Sequence, residues 1–256
     1  NLESGVELVL NTDYTVAYSN NTAAGTAYAI IAGLNSYAAN TNTVDFVIRV
    51  LQNYFIVPAP ADNPSDLDQQ NSSSISGESA STGWSTTQGG AKEVNGITAE
   101  NAIYHVWTNR NVRSPPQRDY STPLSSSIVV EPSCEWQIFD KMQGNTLTLN
   151  NVTVGAGATL SFLPVNDAGE HNDAIAGSIT LEDGATLLVR ASKDKDSARW
   201  LTLSASVTGR GAIFMPSTTT SYTYSGVLAN QITGDISAFT GDIGTWNGSN
   251  AVSLEL

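Results

Sequence analysis

A spaced repeat in the second half of the chain constrains the fold more than any other feature. Three Gly-Ala pairs begin at Gly157, Gly184 and Gly211, so successive pairs are 27 residues apart. An apolar-Thr-apolar segment precedes each pair, at residues 147–149, 179–181 and 201–203. A fixed period of this size is typical of stacked coils, and alternation within a segment predicts strands with outward-facing Thr. We therefore expect the three glycines to form corners that stack on one another.

The repeat is not regular, and this leaves a second fold open. Segment 179–181 follows the first apolar-Thr-apolar segment by 32 residues and precedes the third by 22. Three degenerate copies also fit a β-sandwich made of regular hairpins. We predict an all-β chain whose second part is a parallel β-helix, or solenoid, with a β-sandwich as the alternative.

The distribution of large apolar residues divides the chain into three parts. Residues 1–57 contain short apolar segments separated by turn residues and are predicted to be β-rich. Residues 58–92 are rich in Ser and Pro, and their large apolar residues are Leu67, Ile75 and Trp84. So little apolar area does not offset ordering entropy, which predicts an exposed loop or linker. Residues 93–256 form the predicted solenoid, which we expect to continue beyond the C-terminus because 252–256 alternates without a final turn.

The charge balance argues against two classes of partner. Charged residues make up 14% of the chain, against roughly 25% in an average soluble domain. The protein is acidic, with a net charge of −13, which repels nucleic-acid phosphates and anionic lipid headgroups. The sequence also lacks the roughly 18 consecutive apolar residues of a membrane span. We predict no nucleic-acid partner and no membrane-spanning segment.

The cysteine content gives no reason to expect a metal or a cofactor. Cys134 is the only cysteine, so neither an internal disulfide nor a Cys-x-x-Cys metal motif is available. We interpret it as a small buried apolar side chain. The sequence predicts no metal site, no cofactor and no catalytic residue.

Four segments of the second part resemble a known family. Residues 95–115, 144–149, 157–160 and 232–244 resemble the β-helical passenger regions of bacterial autotransporter-associated repeat proteins, which are pectin-lyase-like in architecture. The resemblance covers about residues 94–256. It implies a right-handed β-helix in an exported protein, located extracellularly or at the bacterial cell surface or outer envelope. It brings no catalytic residues with it.

These observations lead to a functional hypothesis with one alternative. We expect a structural scaffold or adhesin-like display surface, with glycans or host or envelope surface molecules as partners. β-Helices also carry pectin lyases and polysaccharide hydrolases, so the alternative is a carbohydrate-binding module or a polysaccharide-degrading enzyme. Such enzymes use clustered carboxylates, and lyases add a basic residue near the sugar carboxylate.

Two charged loops, at residues 164–176 and 190–199, are the predicted ligand-binding site. Both follow a Gly-Ala strand in consecutive coils, so they are expected to project side by side. The predicted site residues are Asp167, Glu170, His171, Asp173, Lys193, Lys195, Arg199 and Trp200. The alternative interpretation is a set of surface ion pairs between the acidic and the basic loop. Among the other tryptophans, Trp84 is interpreted as exposed, and Trp107 and Trp136 as packed in the core.

Overall fold

The structure is a computed structural model that describes residues 7–57, 75, 83–114, 118–140, 142–164, 171–193, 198–215, 217–219 and 231–244. The chain divides into two compact units, Asn1–Leu51 and Gln52–Leu256. The described part contains no helix that is long and apolar enough to cross a membrane.

The first unit is a three-stranded antiparallel sheet. Its elements are β1 (Tyr14–Ser19), β2 (Gly25–Gly33), a 3-10 helix (Asn35–Tyr37) and β3 (Thr41–Ile48). β2 lies in the centre of the sheet, paired with β1 on one side and β3 on the other. The 3-10 helix lies between β2 and β3, and Asn35, with φ of +49°, begins it.

The register of this sheet assigns its residues to two faces. Directly opposed residues of antiparallel strands share a face. Tyr14 pairs with Gly33, Val16 with Ile31, Ile31 with Asn42, Ala29 with Val44 and Ala27 with Phe46. We call the side that bears these residues the apolar face; its Tyr18 and Phe46 rings meet edge to face at 6.3 Å. The opposite side is mixed, and carries the four threonines of the strands and Asp45 together with Tyr28, Ile30 and Val47.

The second unit consists of short strands. They are β4 (Gln52–Ile56), β5 (Gly83–Ser85), β6 (Val94–Asn95), β7 (Ala102–Val106), β8 (Arg110–Arg113), β9 (Tyr120–Ser121), β10 (Ser127–Val130), β11 (Glu135–Asp140), β12 (Thr146–Val154), β13 (Thr159–Pro164), β14 (His171–Leu181), β15 (Thr186–Val189), β16 (Ala191–Lys193), β17 (Ala198–Leu203), β18 (Ser206–Gly209), β19 (Ala212–Phe214), β20 (Ser217–Thr219), β21 (Gln231–Ile232) and β22 (Asp242–Gly244).

These strands form a β-solenoid, which confirms the predicted fold class. A six-stranded sheet runs in the order β8, β11, β13, β15, β19, β22, and all its neighbours are parallel. The larger sheet stacks β4, β7, β10, β12, β14 and β17 in parallel, with antiparallel additions by β5, β6 and β16. A sandwich of regular hairpins would pair consecutive strands in antiparallel fashion, so that alternative is wrong.

The solenoid interior is filled by ladders of like side chains. Leu160, Leu187 and Ile213 occupy equivalent positions of successive strands, and all three are fully buried. Complete burial of such a side chain is worth about 1.5–3 kcal/mol, so each ladder holds its coils together. Trp136 extends this ladder by one coil and is also fully buried, as predicted, while Trp107 packs against the core.

Strand pairing explains the irregular spacing of the repeat. β12 and β14 are parallel, and a bulge shifts their register by one residue between Leu149 and Val152. Segment 179–181 pairs with 152–154, and the partner of Leu149 is Gly177. The three apolar-Thr-apolar segments are therefore not equivalent positions, contrary to the simplest interpretation of their shared pattern.

The predicted glycine stack holds for two of its three members. Gly157 and Gly184 occupy matching corners, since β13 and β15 pair Thr159 with Thr186. In the next coil the register shifts by one residue. Thr186 pairs with Ala212, so Gly211 lies beside Ala185 rather than beside Gly184. The prediction that Gly211 stacks on Gly184 is wrong by one position.

The first coil of the solenoid includes residues from the predicted N-terminal part and from the predicted linker. The sequence pattern groups β4 with residues 1–57, whereas β4 pairs with β7 in the large sheet of the solenoid. Ile75 and Trp84 are each 1% exposed and belong to the core. The interpretation of Trp84 as exposed is wrong, because β5 places it between β4 and β6 with its ring edge-on to Tyr104 at 4.9 Å. Most of 58–82 lies outside the described residues.

Candidate functional site

The strands that carry the predicted site residues lie next to one another at one corner of the solenoid. β14 and β17 are parallel neighbours in which His171 pairs with Arg199 and Asn172 with Trp200. β16 lies antiparallel on the other side of β17, with Lys193 opposite Ala198. The backbone positions of His171, Lys193, Arg199 and Trp200 therefore lie on three adjacent strands at one corner.

The structure covers the predicted site residues unevenly. Asp167, Glu170 and Lys195 lie outside the described residues. For His171, Lys193, Arg199 and Trp200 the structure describes the backbone only. Their role in ligand binding stays a prediction.

Asp173 is the one predicted site residue whose side chain is described, and it is not at the surface. It is 4% exposed and pairs in register with the buried Leu201, so it lies on the inward-facing side of β14. Its carboxylate accepts a hydrogen bond from the backbone N–H of Gly144, in the corner of the preceding coil. A buried carboxylate needs such a partner, so this bond ties two successive corners together.

A polar cluster that the sequence did not predict lies on the exterior of the first coils. Nδ1 of His105 lies 2.7 Å from Oε1 of Glu131, and Nε2 lies 3.0 Å from Oδ1 of Asn53. The His105 ring stacks on Phe55, its neighbour in β4, with centroids 4.9 Å apart. Each ring nitrogen of His105 therefore lies within hydrogen-bonding distance of a side-chain oxygen.

This cluster joins three coils through one side chain. Asn53 and Phe55 lie on β4, His105 on β7, and Glu131 directly follows β10. The 26-residue separation of His105 and Glu131 is close to one coil, which is the signal that could have revealed the pair. The cluster therefore links three successive coils by side-chain contacts.

We expect His105 and Glu131 to be energetically coupled. A double-mutant cycle with His105→Gln and Glu131→Gln should give a coupling free energy of about 0.5–1 kcal/mol in urea unfolding, because the pair is only partly exposed. A matched cycle pairs His105→Gln with Glu135→Gln, which removes an exposed carboxylate from the next strand. Equal coupling free energies in both cycles would show that the contact between His105 and Glu131 makes no specific contribution to stability.

Hydroxyl side chains form ladders on the exterior of the large sheet. Thr153, Thr180 and Thr208 occupy equivalent positions in three successive coils. The Oγ1 atoms of Thr180 and Thr208 are 3.1 Å apart, within hydrogen-bonding distance. In the same sheet, Ser178 Oγ accepts a hydrogen bond from the N–H of Asn151. This part of the surface is polar without being charged.

The described residues show no feature of a metal centre or an activated thiol. Among them, no group of three or more His, Cys, Asp and Glu side chains is placed to hold a metal ion. Burial, reinforced by the nearby Glu131 carboxylate, raises the pKa of the Cys134 thiol. The thiol is therefore kept protonated and is a poor nucleophile.

Comparisons with known proteins identify no relative. No protein-family model matches the chain, and neither a curated protein nor a solved structure matches it.

Proposed function

We propose that the chain is part of an exported surface or cell-envelope protein in which the solenoid is a scaffold for an adhesin-like display surface. The observation that carries this proposal is the parallel stacking of β9, β12, β14 and β17, whose N-terminal ends follow one another along one side of the large sheet.

Stacking brings the N-terminal ends of these strands next to one another. β9 pairs with β12, β12 with β14 and β14 with β17. We therefore expect the connections that precede these strands to emerge side by side. A repetitive scaffold tolerates variation in such connections because they do not interrupt its ladders. Side chains far apart in sequence thereby contribute to one continuous surface, which suits recognition of an extended partner.

The exterior chemistry supports an extracellular location. Solubility rests on hydroxyl and amide groups, such as the Thr153, Thr180 and Thr208 ladder, and charged residues make up only 14% of the chain. The resemblance to autotransporter-associated repeats points to the same location. Glycans or surface molecules of a host or of the envelope are the partners that we propose.

At the predicted ligand-binding site, binding of a ligand is favoured over catalysis. Asp173, the one described carboxylate of the predicted set, is buried and hydrogen-bonded to Gly144, so it has no access to a substrate. An acid–base pair for glycoside cleavage needs two carboxylates that flank the scissile bond. A carbohydrate-binding role at this corner stays the alternative to display alone.

Deleting the two predicted loops tests the display proposal. We expect removal of 165–170, between β13 and β14, and of 194–197, between β16 and β17, each replaced by Asn-Gly, to lower binding to cultured cells at least tenfold. The paired strands of the solenoid are left intact by both deletions, so the circular-dichroism spectrum should remain that of a β protein. Thr180→Ser, a change in the hydroxyl ladder, serves as the control and should bind like the unmodified chain.

Two results would contradict this account. Undiminished binding after the double deletion would place the recognition surface elsewhere. Release of reducing ends or unsaturated uronides from polysaccharides, abolished by Glu170→Gln, would make the protein an enzyme.

A further inference from the structure

The first unit contains a groove at one end of its apolar face. The groove has a volume of about 850 Å³ and is lined only by residues of this unit. Tyr14, Ile31, Gly33 and Asn42 line it from the sheet, and their register places all four on the apolar face. Its size lies in the range of small-molecule sites, which is roughly 300–1,000 Å³.

Backbone contacts hold the groove walls in place. Leu34 N–H donates to the carbonyl of Asp13 at 2.7 Å, and Gly33 N–H donates to that of Asn40 at 2.8 Å. Asn35 Nδ2 donates to the carbonyl of Thr12 at 3.0 Å. These bonds fasten the 3-10 helix both to the turn before β1 and to the start of β3, so the groove is preformed.

The close packing of the 3-10 helix on the end of β2 requires glycine at position 33. A Cβ atom at residue 33 would overlap the carbonyl oxygen of Tyr37. Without a side chain there, the 3-10 helix packs directly on the end of β2 and brings Tyr37 to the groove. The sheet contributes Tyr14 to the same groove, so two half-buried phenol rings line it.

The rest of the lining combines the apolar Leu8 and Ala39 with polar residues that are uncharged or acidic. Asn40 and Asn42 supply amides, and Glu7 and Asp13 supply carboxylates. Asp13 Oδ2 accepts the N–H of Val9 at 2.9 Å, and a carboxylate has further lone pairs for a ligand hydroxyl. None of the described lining residues is Lys, Arg or His, so an anionic ligand would meet only repulsion.

We propose that this groove binds a neutral oligosaccharide. Tyr rings offer flat apolar surfaces to the C–H faces of sugars, while amides and carboxylates match sugar hydroxyls as donors and acceptors. A quaternary ammonium ligand would use the rings and carboxylates but not the amides of Asn40 and Asn42. The lining as a whole therefore fits a polyol better than a cation. The site is separate from the predicted corner and does not depend on the display function.

The test begins with titration calorimetry of the full chain against neutral cello-, xylo-, malto- and chito-oligosaccharides. We expect at least one of these series to bind, and oligogalacturonate and choline chloride not to bind. Tyr37→Ala should weaken the binding at least tenfold, and Tyr37→Phe, which keeps the ring, should weaken it no more than about threefold. The loop-deleted protein should bind the same oligosaccharide unchanged, which separates this site from the display surface.

Two further variants keep the proposal falsifiable if Tyr37→Ala does not fold. Asn42→Ala removes an exposed amide on the groove rim and should weaken binding about fivefold or more. Val47→Ala lies on the opposite face of β3, where its side chain is 61% exposed, and should leave binding unchanged. No binding of any neutral oligosaccharide, unchanged binding by Asn42→Ala, or binding of choline instead would overturn the proposal.

Discussion

Gly177→Val is expected to lower the free energy of unfolding by at least about 3 kcal/mol. Gly177 has φ of +104° and lies in β14 opposite the start of the bulge in β12, a backbone conformation that a β-branched residue avoids. A Cβ atom there would also overlap the carbonyl oxygen of its ladder partner Leu149. The substitution thus combines backbone strain with a collision inside the parallel ladder. Equilibrium unfolding in urea, followed by circular dichroism, measures the loss.

Gly89→Val is the matched control for this prediction. Gly89 also has a positive φ, +75°, but a Cβ atom built there would meet no atom within 4 Å. Only the dihedral penalty remains, which is worth about 1–2 kcal/mol. Equal losses for the two variants would show that close packing of coils at the bulge is not what requires glycine.

Trp84→Ala should also be strongly destabilising, by about 3–5 kcal/mol. The side chain is 1% exposed and meets the fully buried Tyr104 edge to face at 4.9 Å. Truncation leaves a large cavity at the first coil, where β4, β5 and β7 meet. The shift of the urea midpoint at constant m-value measures the loss.

Leu124→Ala provides the contrast for Trp84. Leu124 is 81% exposed, and its truncation should change the unfolding free energy by less than about 0.5 kcal/mol. If Trp84→Ala were as mild as Leu124→Ala, Trp84 would be at the surface, as the composition of its segment suggests. The burial of this side chain would then be refuted.

The predicted ligand-binding site shows how much a sequence repeat can predict about the positions of loops. Counting from the Gly-Ala pairs places the two charged loops in consecutive coils, and the structure does pair His171 with Arg199. The same counting does not reveal that Asp173 faces inward, because that depends on where β14 begins its alternation. One residue of register decides whether a side chain is at the surface or in the core.

The His105 cluster and the groove of the first unit were not predicted from the sequence, for a related reason. His105, Glu131 and Asn53 meet only because three coils stack in one particular register. The groove depends on the antiparallel register that sets Tyr14 opposite Gly33, and on the packing of Tyr37 against Gly33. No local pattern marks such residues, since their neighbours in space are distant in sequence.

By itself the sequence determined that the chain is all-β and that its second part is stacked, because alternation and a period near 27 residues are local properties that survive degenerate copies. Only the tertiary structure decided which copies face each other. The bulge between Leu149 and Val152 sets segment 179–181 against 152–154, and a one-residue shift sets Gly211 beside Ala185. Trp84 is buried for the same kind of reason: the pairing of β5 with β4 and β6 sets its ring against Tyr104, which is distant in sequence.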